Sequence, residues 1–138
     1  MKILAAVEHS TYSTKALTRA VDLAKKDGAE LTALTVAELT LGMVEVFPDF
    51  SFEEKLLEQA QVTSDKAKEY AQSKGVALQT IVETSSSAGE CILANAEKIG
   101  ADLIVLGSRG KKGVERFLLG SVATKVAAHA SCSVLIVR

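Results

Sequence analysis

The apolar residues of this chain fall into short unbroken runs, separated by stretches in which they recur every three or four positions. Buried strands alternating with amphipathic helices produce that pattern. Ile3 to Val7 is the first run, and the polar group Glu8-His9-Ser10-Thr11 behind it marks a helix start. Ala16, Leu17, Ala20, Val21, Leu23 and Ala24 follow at helical spacing until Gly28 provides a stop. Leu31 to Val36 is a second run of strand-compatible residues, so the chain opens as β-α-β. From Leu39 to Phe52 the periodicity breaks. Gly42, Met43, Phe47, Pro48, Phe50 and Phe52 stand in irregular order and predict a long loop, apolar enough to cover something or to meet a partner.

Leu56, Leu57, Ala60, Ala67, Tyr70 and Ala71 then give Glu53 to Ser73 the face of a long amphipathic helix, ended by Gly75. Val76 to Val82 is the third strand expected. Ser87-Ala88-Gly89-Glu90 has the Ser-x-x-Glu form of a capping box, ahead of Ile92, Leu93, Ala96 and Ile99 on the buried side of a helix closed by Gly100. Leu103 to Leu106 is a fully apolar strand, Gly107 to about Leu119 a glycine-rich loop, Gly120 to Ala130 a helix and Val134 to Val137 the last strand. Strands that read as continuous apolar runs between helices are buried on both faces, so the fold class is α/β with an open, mostly parallel sheet. Ligands of such sheets bind at the carboxyl ends of the strands, which directs attention to the loops after Val7, Val36 and Leu106.

The length of 138 residues and 48% hydrophobic content supply the core of one domain without disulfide or metal staples. Sixteen Lys plus Arg against 17 Asp plus Glu leave a net charge of −1, without the broad basic footprint of a nucleic-acid binder. With no Trp, four Phe and two Tyr, stacking platforms for single strands are scarce as well. Cys91 and Cys132 sit in apolar stretches with no zinc-site spacing and read as reduced, core-facing thiols. Met1 to Glu8 carries one basic residue and an apolar run too short for a signal peptide or a membrane span, so the expected location is the cytoplasm.

The chemistry concentrates after the fourth strand. Gly107-Ser108-Arg109-Gly110 is followed after nine residues by Gly120-Ser121 at a helix start, giving Gly-x2-Gly-x9-Gly-Ser. Glycine permits close backbone approach, and a helix N-terminus offers free N–H groups at the positive end of a dipole; together they suit a phosphate chain. Ser121 adds a hydroxyl, with Thr124 one turn further along. The spacing fits neither the P-loop nor the dinucleotide fingerprint, and turn glycines plus an N-cap are the plainer alternative. Arg109, Lys111, Lys112 and Arg116, opposed only by Glu115, would steer a polyphosphate or simply solvate the loop. His9 reads as an exposed turn residue, and His129 as a polar end suited to a helix C-terminus.

Ala101-Asp102-Leu103-Ile104-Val105-Leu106-Gly107-Ser108-Arg109-Gly110 followed by Gly120-Ser121-Val122-Ala123 closely resembles the universal stress protein family, in its nucleotide-binding branch. The likeness extends over the opening strand, the long second helix and the terminal Cys132 to Val137 strand. It implies a five-stranded Rossmann-like sheet of order 3-2-1-4-5 over residues 1–138, with a variable loop at about 39–52 and a phosphate loop at 107–121. It further implies a site for ATP or AMP, in which Gly107, Arg109, Gly110, Gly120, Ser121 and Val122 contact phosphate and ribose. Ser10, Ser108 and Thr124 adjoin them, and the Val36 backbone reads adenine. Glu8 stands where the family commonly has Asp, next to ribose or a phosphate-bound Mg²⁺ or Mn²⁺; it keeps the carboxylate but displaces it by one methylene.

The terminal strand, if at an edge, would pair with a second copy, and the resemblance likewise implies a homodimer through residues 133–137. The leading expectation is therefore a stress-response protein that uses ATP or AMP as a conformational or signalling ligand read by a protein partner, with no nucleic acid and no membrane involved. A slow ATPase or adenylyl-transfer enzyme on the same scaffold is the alternative, and a nucleotide-free dimeric scaffold the third.

Overall fold

The computed structural model describes residues 1–39, 51–110 and 118–138. Gly42, Met43, Phe47, Pro48 and Phe50 of the expected loop lie outside the described residues, as do Lys111, Lys112, Glu115 and Arg116. The elements in chain order are β1 (Lys2–Ala6), α1 (Thr11–Asp27), β2 (Glu30–Glu38), α2 (Ser51–Ser73), β3 (Leu78–Ser85), α3 (Ala88–Ile99), β4 (Leu103–Gly107), α4 (Ser121–His129) and β5 (Ser133–Val137). The strands form one sheet of order β3-β2-β1-β4-β5, the expected order, and every pairing among them is parallel.

Alternation along the strands divides the core into two layers. Ile3, Ala5, Val7, Leu31, Ala33 and Val105 pack with Ala16, Leu17, Ala20 and Val21 of α1 and with Ala67 and Ala71 of α2. Leu4, Leu34, Ile104 and Leu106 face the other way, onto Ile92 and Ala96 of α3 and Ala123 and Val126 of α4. Strand order therefore reverses at β1, whose C-terminal end lies between the two helical layers. Here a doubly wound sheet leaves a crevice.

The start of α2 and both ends of β3 differ from the sequence expectation. Ser51 and Phe52, expected in the loop, open α2, where Glu53 and Glu54 in the first turn complement the positive end of the helix dipole. β3 begins at Leu78 because the Val76 N–H donates to the Ala71 carbonyl (2.9 Å) and closes the end of α2; it then runs on to Ser85, in register with Glu38. The buried stripe of α2 is made only of small residues, Ala60, Ser64, Ala67 and Ala71.

Capping side chains fix the starts of α1 and α3. Ser10 caps α1 by accepting from the Ser13 N–H (3.1 Å). Ser87 caps α3 by accepting from the Glu90 N–H (3.3 Å), and Glu38 at the end of β2 accepts from the Ala88 N–H (2.7 Å). The capping box forms by half, since Glu90 pairs with Lys125 of α4 (2.8 Å) while the Ser87 N–H goes to Ser85 Oγ (3.1 Å).

Candidate functional site

At the carboxyl ends of β1, β2 and β4, the sequence-nominated residues meet. Glu8 leaves β1 with its N–H donating to Ser13 Oγ (2.7 Å), and its side chain lies over Gly110: a Cβ there would sit 3.3 Å from Glu8 Oε2. Glu8 Oε1 is buried and, among the described residues, has no hydrogen-bond partner. A shielded carboxylate oxygen left in that state favours an added donor or cation beside it.

The loop after β4 returns on itself. Ser108 donates its N–H to the Val137 carbonyl (2.8 Å) and accepts the Gly120 N–H at its own carbonyl (2.7 Å), so its backbone closes the loop. A Cβ on Gly120 would stand 3.3 Å from both Arg109 Cα and Ser108 O, and one on Gly107 would stand 2.9 Å from Tyr12 C and Cβ. Close backbone approach therefore accounts for glycine at both positions. Gly120 is the N-cap of α4 and offers no side-chain cap, unlike Ser10 of α1 and Ser87 of α3. Among the described residues, no side chain caps the first N–H groups of α4, at Ser121 and Val122. Ser121 is exposed, whereas the Thr124 hydroxyl is engaged as a donor to the Gly120 carbonyl (2.9 Å).

Val36 supplies a different recognition element. The β1–β2 register ends with Ala6 opposite Leu34, and the Val7 N–H donates to the Leu34 carbonyl (2.9 Å). By the two-residue period, the N–H and C=O of Val36 point the same way, beyond the end of β1. One donor and one acceptor thus edge the crevice while the half-buried side chain packs on the α3–α4 layer. A groove of about 430 Å³ lies between α1 and α2, lined among others by Val7, Leu17, Lys66 and Tyr70, and shares Glu8 with the site.

Ser10 is the nominated residue with the clearest structural assignment, to the cap of α1. Ser10→Ala is expected to cost about 1 kcal/mol in denaturant unfolding without a change in ligand affinity. Tyr12 is the residue that sequence reasoning misses: it receives a hydrogen bond from Arg109 Nη1 (2.9 Å), across 97 positions of chain. His9 and His129 are exposed. Both cysteines are free. Burial, reinforced by the Glu83 carboxylate that accepts from Cys91 Sγ at 3.2 Å, pushes the Cys91 thiol up to about 11 and keeps it protonated at neutral pH. Among the described residues, no group of three or more His, Cys, Asp or Glu could hold a metal ion, and no helix is long and apolar enough to cross a membrane.

The sequence profile described as the universal stress protein family matches residues 1–138, the whole chain. The chain belongs to the universal stress protein family. Among relatives of this family member, the universal stress protein YxiE of Bacillus subtilis is 40% identical over 148 residues, covering 99% of this chain and 98% of its own. Universal stress protein UspA from Lactobacillus plantarum superposes with a TM-score of 0.83 at 28% identity, covering 100% of this chain and 97% of its own. The universal stress protein from Archaeoglobus fulgidus solved in complex with dAMP shares the fold, with a TM-score of 0.74 at 22% identity and coverage of 100% and 98%.

Proposed function

We propose that this universal stress protein binds an adenine nucleotide, ATP or AMP, in the crevice over β1, β2 and β4, and that the nucleotide acts as a conformational ligand in a stress response. The observation that carries this reading is the N-terminus of α4: its N–H groups lack a capping side chain, and the Gly107–Gly110 turn folds against Gly120 beside it. Phosphate oxygens would accept from Ser121 and Val122 and from the Ser121 hydroxyl. The Val36 N–H and C=O would read the adenine edge, which explains why side-chain identity matters little there. Support from relatives is coarser: a protein of the same fold holds dAMP.

The orphaned Oε1 of Glu8 suits either a ribose hydroxyl or a divalent cation. Mg²⁺ or Mn²⁺ carried in on ATP would be held by this one carboxylate and the phosphates, the habit of a small hard cation with nucleotide substrates, and would neutralise phosphate charge when bound. Glu8→Gln is expected to weaken Mg²⁺-dependent ATP binding roughly tenfold while leaving metal-free binding nearly unchanged.

The half-buried, apolar β5 stands at the sheet edge, and we take it as the surface through which two copies of the chain pair in the cytoplasm. Ordering of the loop by phosphate would then change a surface that a protein partner reads. The test is to denature freshly purified protein, identify any released nucleotide by mass spectrometry, and titrate the stripped protein with ATP and AMP with and without Mg²⁺. Stoichiometric nucleotide or micromolar rebinding is the expected result. An empty protein that refuses both would overturn the reading and leave a dimeric scaffold.

A further inference from the structure

Arg109 is held in an unusual way for a cation at an anion site. Its Nη1 donates to Tyr12 Oη at 2.9 Å, and its guanidinium carbon lies 5.3 Å from the centroid of the same ring. Lys15 Nζ stands 5.9 Å from that ring as well. Among the described residues, neither Arg109 nor Lys15 makes an ion pair with a carboxylate. Among the described residues, the partner that fixes Arg109 is thus neutral. A carboxylate in the same place would cancel the charge, whereas a phenol and a π-face fix the side chain and leave the charge for a ligand. One of the five guanidinium N–H donors is spent on Tyr12.

The Tyr12 backbone is fixed too, because Gly107 leaves no side chain in the space that Tyr12 fills. Arg109 Cα lies against Gly120 at the start of α4. The side chain therefore bridges the first turns of two helices, with its base beside the phosphate loop and its head on α1.

We infer that Tyr12 is a positioning residue that holds Arg109 charged and oriented beside the phosphate loop, and that this pair, with Lys15 on the same ring, selects nucleotides carrying β- and γ-phosphates over monophosphates. The inference rests on the nucleotide reading above and names its phosphate specificity. A cation set off from the α4 N-terminus gains nothing from a lone α-phosphate already held by the backbone, but gains one charge-assisted contact from a longer chain. Disordering Arg109 removes that gain and leaves adenosine and α-phosphate contacts as they were.

The experiment is calorimetric titration of ATP and AMP into wild type, Tyr12→Phe and Arg109→Gln, with melting curves as the folding control. Tyr12→Phe keeps the ring, and the backbone and Cβ that lie against Gly107, and removes only the hydroxyl. The expected result is tighter binding of ATP than of AMP by wild type, and a loss of about tenfold in ATP affinity in Tyr12→Phe with AMP affinity within about twofold. Arg109→Gln should lose ATP affinity by at least as much, which checks that the effect of Tyr12→Phe runs through Arg109. Equal loss for both nucleotides in Tyr12→Phe would make Tyr12 merely structural, and an unchanged ATP-to-AMP ratio would remove it from specificity; either overturns the inference while nucleotide binding stands. Wild type that binds neither nucleotide overturns the nucleotide reading itself and the inference with it.

Discussion

Gly120→Val is expected to abolish nucleotide binding, with ATP affinity down about 100-fold or more. Gly120 has φ −63, so its backbone suits any residue; the constraint is space. The Cβ alone would stand 3.3 Å from Ser108 O and Arg109 Cα, two backbone neighbours that yield only if the loop moves. Valine adds two methyl groups at that point. The 2.7 Å bond from the Gly120 N–H to Ser108 O would be lost or lengthened, and the Gly107–Gly110 turn would shift away from α4. Loss of two charge-assisted phosphate contacts is enough for the stated effect. Titration of ATP into the variant, with circular dichroism and melting as controls, checks it. A folded variant with wild-type affinity would mean that phosphate binds elsewhere.

Gly107→Val should act on the fold. A Cβ at this position would meet Tyr12 C and Cβ at 2.9 Å, closer than carbon atoms pack, and Tyr12 belongs to the first turn of α1. Relief requires α1 to lift from the end of β4, although Ala16, Leu17, Ala20 and Val21 of that helix are all buried. Denaturant unfolding is expected to show a loss of about 3 kcal/mol or more, at the upper end for overpacked sites. Gly107→Ala should show a smaller loss of the same sign. If Gly107→Ala unfolds like wild type but binds ATP poorly, the glycine serves the ligand and the packing account fails.

Gly107 and Gly110 show how far the sequence carries. Their spacing marked a loop that gathers at the strand ends, and the structure gathers it there. The cause lay out of view. Gly107 answers to Tyr12 and Gly110 to Glu8, partners more than 90 positions away whose proximity depends on β1 and β4 being neighbours. Periodicity sufficed for the strands and for α1 and α3, because each buries one continuous apolar set. It misjudged the start of α2, whose buried stripe of Ala and Ser gives little hydrophobic signal against the preceding aromatic residues. The resemblance placed Ser10 beside the ligand, and the structure adds a helix cap, its hydroxyl accepting from the Ser13 N–H. The Ser87–Glu90 motif was legible by half, since nothing local reveals that Lys125 competes for the Glu90 carboxylate.

The position of β1 in the middle of the sheet also governs the order in which the chain can fold. Its pairing with β2 closes early, Lys2 meeting Glu30, whereas its other edge waits for β4, and Lys2 bonds Asp102 across 100 residues. A nascent chain that has completed β3 can assemble β1, β2 and β3 beneath α1 and α2, yet Leu4 and Leu34 then lack α3 and α4 above them. One long edge of β1 is exposed at the same time. A chain held at that stage would present this open edge to other chains, and chaperone protection would matter most then. β1, which precedes the other strands of the sheet in the chain, is among the last of them to be enclosed.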